Sequence, residues 1–313
     1  MLSQVRSAVL PASTSSSPNA WPLPKAYTLQ AGDRHLDLSS PVCMGVLNIT
    51  PDSFYDGAEL ARSNRHEFRF DRDKVLFKAA QMVRDGALIL DVGGESTRPG
   101  ASPVPVDEEL ERTVRVLEIL RAEFDVLLSI DTSTPAVMSA ALATGAGLVN
   151  DVRALTRPGA MRVVAEEQTA PAVCLMHMQG QPVSMQETFS YGCVFDEVFG
   201  FLKQRVADSE QAGVERSRIL IDPGFGFGKS VEHNYELLRR LAEFHELGAP
   251  ILVGVSRKSM IGAVTGRSVE RRLSGSVAAT SLALQAGAHI IRTHDVADTV
   301  DAIKVYQACR GAG

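Results

Sequence analysis

The sequence predicts a (β/α)8 barrel, on three observations. Eight short apolar runs recur along the chain, each ends in a polar or charged cluster, and most gaps between them can hold a helix. The runs are VCMGVLNIT with Asn48, ALILDVGGE with Asp91 and Glu95, VLLSIDTS with Asp131, and GLVNDV with Asn150 and Asp151. They continue with AVCLMHM (His177), RILIDPG (Asp222), ILVGVSRKS (Ser256, Lys258) and HIIRTHD (Arg292, His294). Each has the length of a buried strand, and strands alternating with helices imply a parallel sheet. An open doubly wound sheet would use about six strands with ligand at one switch point. A TIM barrel uses eight, over typically ~250 residues, with its site at the strand C-terminal ends. Setting aside the N-terminal segments leaves about 270 residues, so the barrel is the better fit.

The elements follow in order. Residues 1–25, rich in Ser, Pro and Ala, show no lasting period and read as a disordered tail. One barrel domain is expected over 26–313. Residues 26–40 read as a hairpin, YTL and LDL around Ala31-Gly32-Asp33, able to cover the barrel bottom. TPDSFYDGAELARSNRHEFRFDRD after the first strand is long, polar and glycine-bearing, which predicts a mobile loop. Val75, Leu76, Ala79, Met82 and Val83 then share a helix face, as do Leu110, Val114, Leu117 and Leu120, the latter behind acidic residues 107–109. Thr134-Pro135 fits an N-cap with proline at the first helical position, and Gly145 closes that helix. Further helices are expected near 158–167, over 195–212, 232–244 and 274–286, and over about 297–309.

Composition excludes other classes. The 313 residues are 45% hydrophobic and 22% charged, ordinary for a globular protein. A net charge of −5 without a long basic block argues against nucleic acid or an acidic membrane surface as main partner. No apolar stretch approaches a membrane span. Four scattered cysteines without CxxC spacing read as reduced thiols, Cys43 and Cys174 within strands. With no secretory signal, the expected location is the cytoplasm.

Strand alternation tells which end groups share a face. Met44, Val46 and Asn48 are in phase, as are Ser129 with Asp131, Leu148 with Asn150, and Ile290 with Arg292 and His294. Leu252, Gly254, Ser256 and Lys258 form another set. Asp131, Asn150 and Asp222 would then point into the barrel mouth. Buried carboxylates and amides are expensive without partners. Any one of them could be a self-satisfied structural polar group. Three together suit a flat heterocycle carrying several N–H donors. The opposite rim is cationic, with Arg98 in the loop after the second strand and Arg292 and His294 ending the eighth. That matches the phosphate site often built after strands 7 and 8. DPGFGFGKS (222–230) is not a P-loop, because GxxxxGK[ST] would need glycine where Pro223 stands. Its glycines instead let the backbone turn close to a ligand, with Phe225 or Phe227 as a wall. His177 in MHMQ matches no metal motif, and Met176 reads as an apolar pocket wall or plain core.

In barrel order, MGVLNITPDSFYDG (44–57), DVGGESTRPGA (91–101), SIDTSTP (129–135), NDVRAL (150–155), CLMHMQG (174–180), DPGFGFGK (222–229), SRKSMIG (256–262) and IIRTHDV (290–296) resemble dihydropteroate synthases, over about residues 40–307. The resemblance implies condensation of 6-hydroxymethyl-7,8-dihydropterin pyrophosphate with p-aminobenzoate to 7,8-dihydropteroate and pyrophosphate, in folate biosynthesis. It implies Mg2+ held by Asn48, and a pterin ring held by Asp131, Asn150, Asp222 and Lys258 with Met176 against its face. Thr97, Arg98, Arg292 and His294 would hold the pyrophosphate. Phe54, Pro99, Phe227 and Ser259 would border the p-aminobenzoate pocket. Asp131, Lys258, Arg292 and His294 would carry the catalysis, and a homodimer is implied. Two departures are the tail and a long segment near 59–73. Sulfonamides mimic p-aminobenzoate in that family; no insertion sits beside Phe54, so sensitivity is expected. Pterin-binding barrels of corrinoid methyltransferases also present Asp and Asn to a pterin, but they have no pyrophosphate to hold. A silent paralogue would be expected to lose one of Asn48, Asp131, Lys258 or His294, and all are present.

Overall fold

The structure is a computed structural model that describes residues 25–49, 61–64, 67–95, 104–180 and 189–311, with only the backbone for 61–64 and 67–70. The strands are β1 (Thr28–Ala31), β2 (Arg34–Asp37), β3 (Val42–Asn48), β4 (Ala61–Asn64), β5 (Glu67–Phe70) and β6 (Ala87–Gly93). They continue as β7 (Leu127–Asp131), β8 (Leu148–Asp151), β9 (Ala172–Met176), β10 (Ile219–Asp222), β11 (Leu252–Val253) and β12 (Ile290–Thr293). The helices are α1 (Arg72–Arg84), α2 (Val106–Glu123), α3 (Pro135–Ala143), α4 (Ala160–Glu166), α5 (Val194–Gln211), α6 (Val231–Arg239), α7 (Ser259–Thr265), α8 (Leu273–Gln285) and α9 (Val296–Cys309).

Eight strands pair in parallel in the order β10-β9-β8-β7-β6-β3-β12-β11. The ends of that row meet. A parallel bridge joins Ile221 to Ile251, and the Ile221 N–H donates to Pro250 O at 3.0 Å. The ring is a barrel, as the eight apolar runs predict. Residues alternate between two cores. Cys43, Leu47, Leu90, Leu128, Ile130, Val149, Val173, Leu175 and Ile221 face the helices. Met44, Ile89, Leu127, Leu148, Ala172, Cys174, Leu220, Leu252 and Ile290 fill the interior together with Leu29, Ala31 and Leu38. Each such leucine or isoleucine contributes about 2 kcal/mol by leaving water. The β1–β2 hairpin therefore plugs the barrel bottom, and Gly32 at its turn takes φ +69°.

Three expectations need correction, and a fourth, Thr134 as N-cap with Pro135 at the first helical position, holds without a side-chain cap bond. The segment after β3 is not all loop, because β4 and β5 pair antiparallel, Ala61 opposite Phe70. The buried face of α2 is Glu109, Arg112, Thr113, Val116, Leu117 and Leu120, with Leu110 and Val114 only half-buried. The helix is rotated because its polar groups have buried partners: Arg112 Nη1 donates to Gly94 O at 2.9 Å, and Thr132 and Thr134 donate to Glu109. Thr134 stands at the N-cap of α3 with Pro135 behind it, but its hydroxyl caps nothing. It donates to Glu109 Oε2 at 3.0 Å and accepts from Arg157 Nη1 at 2.9 Å. Finally, β11 ends at Val253, and the gap to β12 contains α7 as well as α8.

Candidate active site

The inward alternation carries Asp91, Ser129, Asp131, Asn150, Met176, Asp222 and Arg292 to one mouth. Asp91 is the hub. It is fully buried and accepts from Ser129 Oγ at 2.6 Å, Asn150 Nδ2 at 3.0 Å and Arg292 Nε at 2.7 Å. Arg292 Nη2 donates to Asp131 Oδ2 at 2.7 Å. Burial works against the Arg292 charge, but Asp91 and Asp131 outweigh it and hold the guanidinium protonated. Burial pushes the Asp131 carboxyl up from its ordinary range, and Arg292 pulls it back. Asp131 Oδ1 is buried with no hydrogen-bond partner among the described residues.

Across the mouth, Asp222 Oδ1 accepts from the Gly224 N–H at 2.7 Å. Burial raises its pKa and the Lys258 charge lowers it. Lys258 reaches over the Phe227 ring, 4.7 Å from the centroid, and donates to Phe225 O. Burial brings this amine down to about 8 against the pull of Asp222. The 222–229 turn is pinned from behind by Lys229, which is buried and donates to Gly224 O at 2.9 Å, Phe227 O at 3.1 Å and His177 O at 3.2 Å. Its Nζ also lies 3.0 Å from His177 Nδ1. His177 is thus a structural acceptor, brought down to about 3 by burial and by the Lys229 charge.

His294 Nδ1 lies 3.1 Å from Ser256 Oγ, which also accepts the His294 N–H at 3.3 Å. Asn48 ends β3 half-buried. A methyl group at Gly93 would lie 3.5 Å from Asn48 Oδ1 and 3.7 Å from Asp131 Oδ2, so both oxygens look into one space. Met176 is buried against the turn, its Cγ 3.3 Å from where a Gly224 side chain would start. Ser259 opens α7 and is exposed. Thr97, Arg98, Pro99 and Phe54 lie outside the described residues. Asn48, Asp131, Asn150, Met176, Asp222, Phe227, Lys258, Arg292 and His294 thus lie at the C-terminal ends of the barrel strands; alternation predicts the inward direction of Asp131, Asn150 and Asp222, while Phe227 and Lys258 enter from the segments that follow β10 and β11.

Two residues escaped a role in the sequence reading. Asp91 stood among the strand ends, yet its phase with Ile89 points it inward beside Ser129 and Asn150, which was the available signal. Lys229 closes the DPGFGFGK segment without a role of its own there. No local signal shows that its amine folds back onto the glycine turn preceding it.

A closed barrel with acceptors and cations gathered at its C-terminal mouth is the architecture of an enzyme for a small polar ligand. The sequence model described as pterin binding enzyme matches residues 44–294. The dihydropteroate synthase of Escherichia coli K12 is 50% identical over 277 residues, 88% of this chain and 94% of that enzyme. A Yersinia pestis dihydropteroate synthase solved with a sulfonamide drug has TM-score 0.84 and 45% identity, covering 91% of this chain and 99% of that one. A Xanthomonas albilineans dihydropteroate synthase solved with 4-aminobenzoic acid has TM-score 0.82 and 46% identity over the same shares. The chain belongs to the dihydropteroate synthase family. Among the described residues, no helix is long and apolar enough to cross a membrane.

Proposed function

We infer that this chain condenses 6-hydroxymethyl-7,8-dihydropterin pyrophosphate with p-aminobenzoate, giving 7,8-dihydropteroate and pyrophosphate in folate biosynthesis. The observation that carries this reading is the buried Oδ1 of Asp131, without a partner among the described residues, in a mouth where Asn150 and Asp222 add further acceptors. A buried carboxylate oxygen without a donor is costly. A pterin ring supplies several N–H donors. Asp131, Asn150, Asp222 and Lys258 would hold that ring with Met176 against its face. Thr97, Arg98, Arg292 and His294 would take the pyrophosphate, and Phe54, Pro99, Phe227 and Ser259 would border p-aminobenzoate.

In the reaction the bond from the pterin methylene to oxygen breaks, and a bond from that carbon to the aniline nitrogen forms. The aniline proton leaves to solvent or to the departing pyrophosphate. The nucleophile is neutral, so no strong base is needed. Asp131 offsets positive charge spreading into the ring, while Arg292 and His294 stabilise charge building on the departing oxygens.

Mg2+ dependence belongs to the same proposal. Among the described residues, the cations Arg292 and Lys258 at the mouth already face the carboxylates of Asp91, Asp131 and Asp222. Among the described residues no group of three His, Cys, Asp or Glu could hold a metal ion. The hard amide oxygen of Asn48 instead fits Mg2+ that keeps waters and is held mainly by substrate phosphate. When bound, the ion would neutralise charge on the leaving pyrophosphate. A homodimer in the cytoplasm is part of the proposal on family grounds, and sedimentation analysis tests the dimer. The deciding assay incubates the protein with both substrates and Mg2+ and follows pyrophosphate. Absence of p-aminobenzoate-dependent release would sink the reading.

A further inference from the structure

Val255 to Lys258 form a tight turn, the Lys258 N–H donating to Val255 O at 3.3 Å. Its third residue, Arg257, has φ +54°. That left-handed position favours glycine, and an L-residue there is retained only when its surroundings over-determine it. Arg257 is so held. Its Nε and Nη2 meet Asp295 Oδ2 and Oδ1 at 2.8 and 2.7 Å, a bidentate pair about nine-tenths buried, with side-chain exposures of 9% and 13%. Its Nη1 donates to Glu270 O at 3.0 Å and Val269 O at 3.3 Å. The Arg257 N–H donates to Ser276 Oγ of α8 at 2.8 Å, and Arg272 Nη1 donates to Arg257 O at 3.1 Å.

The neighbours of the two clamped residues are site residues. Ser256 contacts His294, the residue before Asp295, and Lys258 follows Arg257. We propose that Arg257 is a positioning residue whose bidentate hold on Asp295 keeps both the Lys258 ammonium and the His294 imidazole in place at the mouth, so that the ring and the pyrophosphate of one substrate are each gripped firmly. Glycine would satisfy the turn without strain, so what Arg257 adds at this position is its side chain. The assignment of ring to Lys258 and pyrophosphate to His294 rests on the proposed function.

The test compares wild type with R257G, which relieves the backbone strain but removes the clamp, and with D295N, which keeps the shape and removes the charge. Titration calorimetry measures affinity and stoichiometry for two probes, inorganic pyrophosphate with Mg2+ and 6-hydroxymethyl-7,8-dihydropterin without its pyrophosphate. Both affinities should weaken at least about tenfold in each variant at unchanged stoichiometry, and condensation should slow by on the order of 100-fold, as expected when reacting groups shift by about 1 Å. Unchanged affinities, a loss confined to one probe, or reduced stoichiometry at unchanged affinity would each overturn the proposal. The last marks a merely structural role. Wild type that binds both probes but releases no pyrophosphate in the presence of p-aminobenzoate would fail the functional reading, while the dependence of binding on Arg257 is still measured.

Discussion

Asp131 and Asp91 are both inward carboxylates beside Arg292, yet they differ in what they leave open. Asp91 accepts from Ser129, Asn150 and Arg292, so it is a framework group. Asp131 gives one oxygen to Arg292, and its other oxygen has no hydrogen-bond partner among the described residues. Asp131→Asn should lower turnover on the order of 100-fold, the scale of one preorganised electrostatic group. Pyrophosphate affinity should change much less, and equal loss of both in steady-state and binding measurements would refute the role. Asp91→Asn should instead cost about 3 kcal/mol in urea unfolding, because it breaks a buried ion pair and leaves Arg292 poorly matched. Lys258 adds a pH signature. Its amine is brought down to about 8, so it is charged below that pH and neutral above it. Pterin affinity should therefore fall as pH rises through about 8, measured against a Lys258→Met variant in which that inflection is absent.

At the scale of elements, the parallel strands were legible because each is buried on both faces and reads as an unbroken apolar run. Their polar ends were legible for the same reason, since Asp131, Asn150 and Arg292 interrupt apolar sequence in phase with it. What stayed hidden depended on long-range partners. The face of α2 is set by Glu109 and Arg112 meeting Thr132, Thr134 and Gly94. The Lys229 clamp and the Arg257–Asp295 pair join segments that no period connects. The hairpin seal at the barrel bottom was legible, but not its lock. His289 accepts the Ile251 N–H on Nδ1 at 3.0 Å, so its proton sits on Nε2, 3.0 Å from Lys25 O. Burial holds this imidazole down to about 4 from 6.5. The neutral form is the folded one, so its contribution is complete above about 6.5 and is lost as pH falls toward 4. The depression corresponds to at most about 3 kcal/mol. His177 titrates in the same direction, so the comparison is with His289→Gln. Unfolding free energy should drop between pH 7 and 4 in wild type, and the drop should shrink in the variant. An identical slope in both would remove His289 from the account.

The whole molecule divides between a bottom that is sealed for stability and a mouth that is open for chemistry, as in other barrels of this kind. Two close backbone approaches, one at each end, make that division measurable. At the bottom, a methyl group on Gly147 would meet Ala31 O and Leu127 Cδ1, each at 2.8 Å, where the hairpin seats on the barrel. Gly147→Ala forces the plug outward and should cost about 1–3 kcal/mol by overpacking. The mouth is far from this contact, so kcat of the folded fraction should match wild type. At the top, a methyl group on Gly224 would fall 1.9 Å from His177 O, and Gly224 takes φ +72°. That turn sets Asp222, Phe227 and the carbonyl of Phe225 that receives Lys258. Gly224→Ala should therefore displace the Asp222 carboxylate, the Phe227 ring and the Lys258 ammonium together. The backbone clash and the left-handed φ should cost at least as much stability as at Gly147, and kcat of the folded fraction should fall as well, on the scale of about 100-fold for a shift near 1 Å. Urea unfolding and kcat of the folded fraction, measured on both variants, separate a loss of stability alone at Gly147 from a loss of both at Gly224. If Gly147→Ala lost kcat in proportion to Gly224→Ala, the plug and the site would be coupled through the barrel wall, and the two ends could not be treated as separate structures with separate tasks.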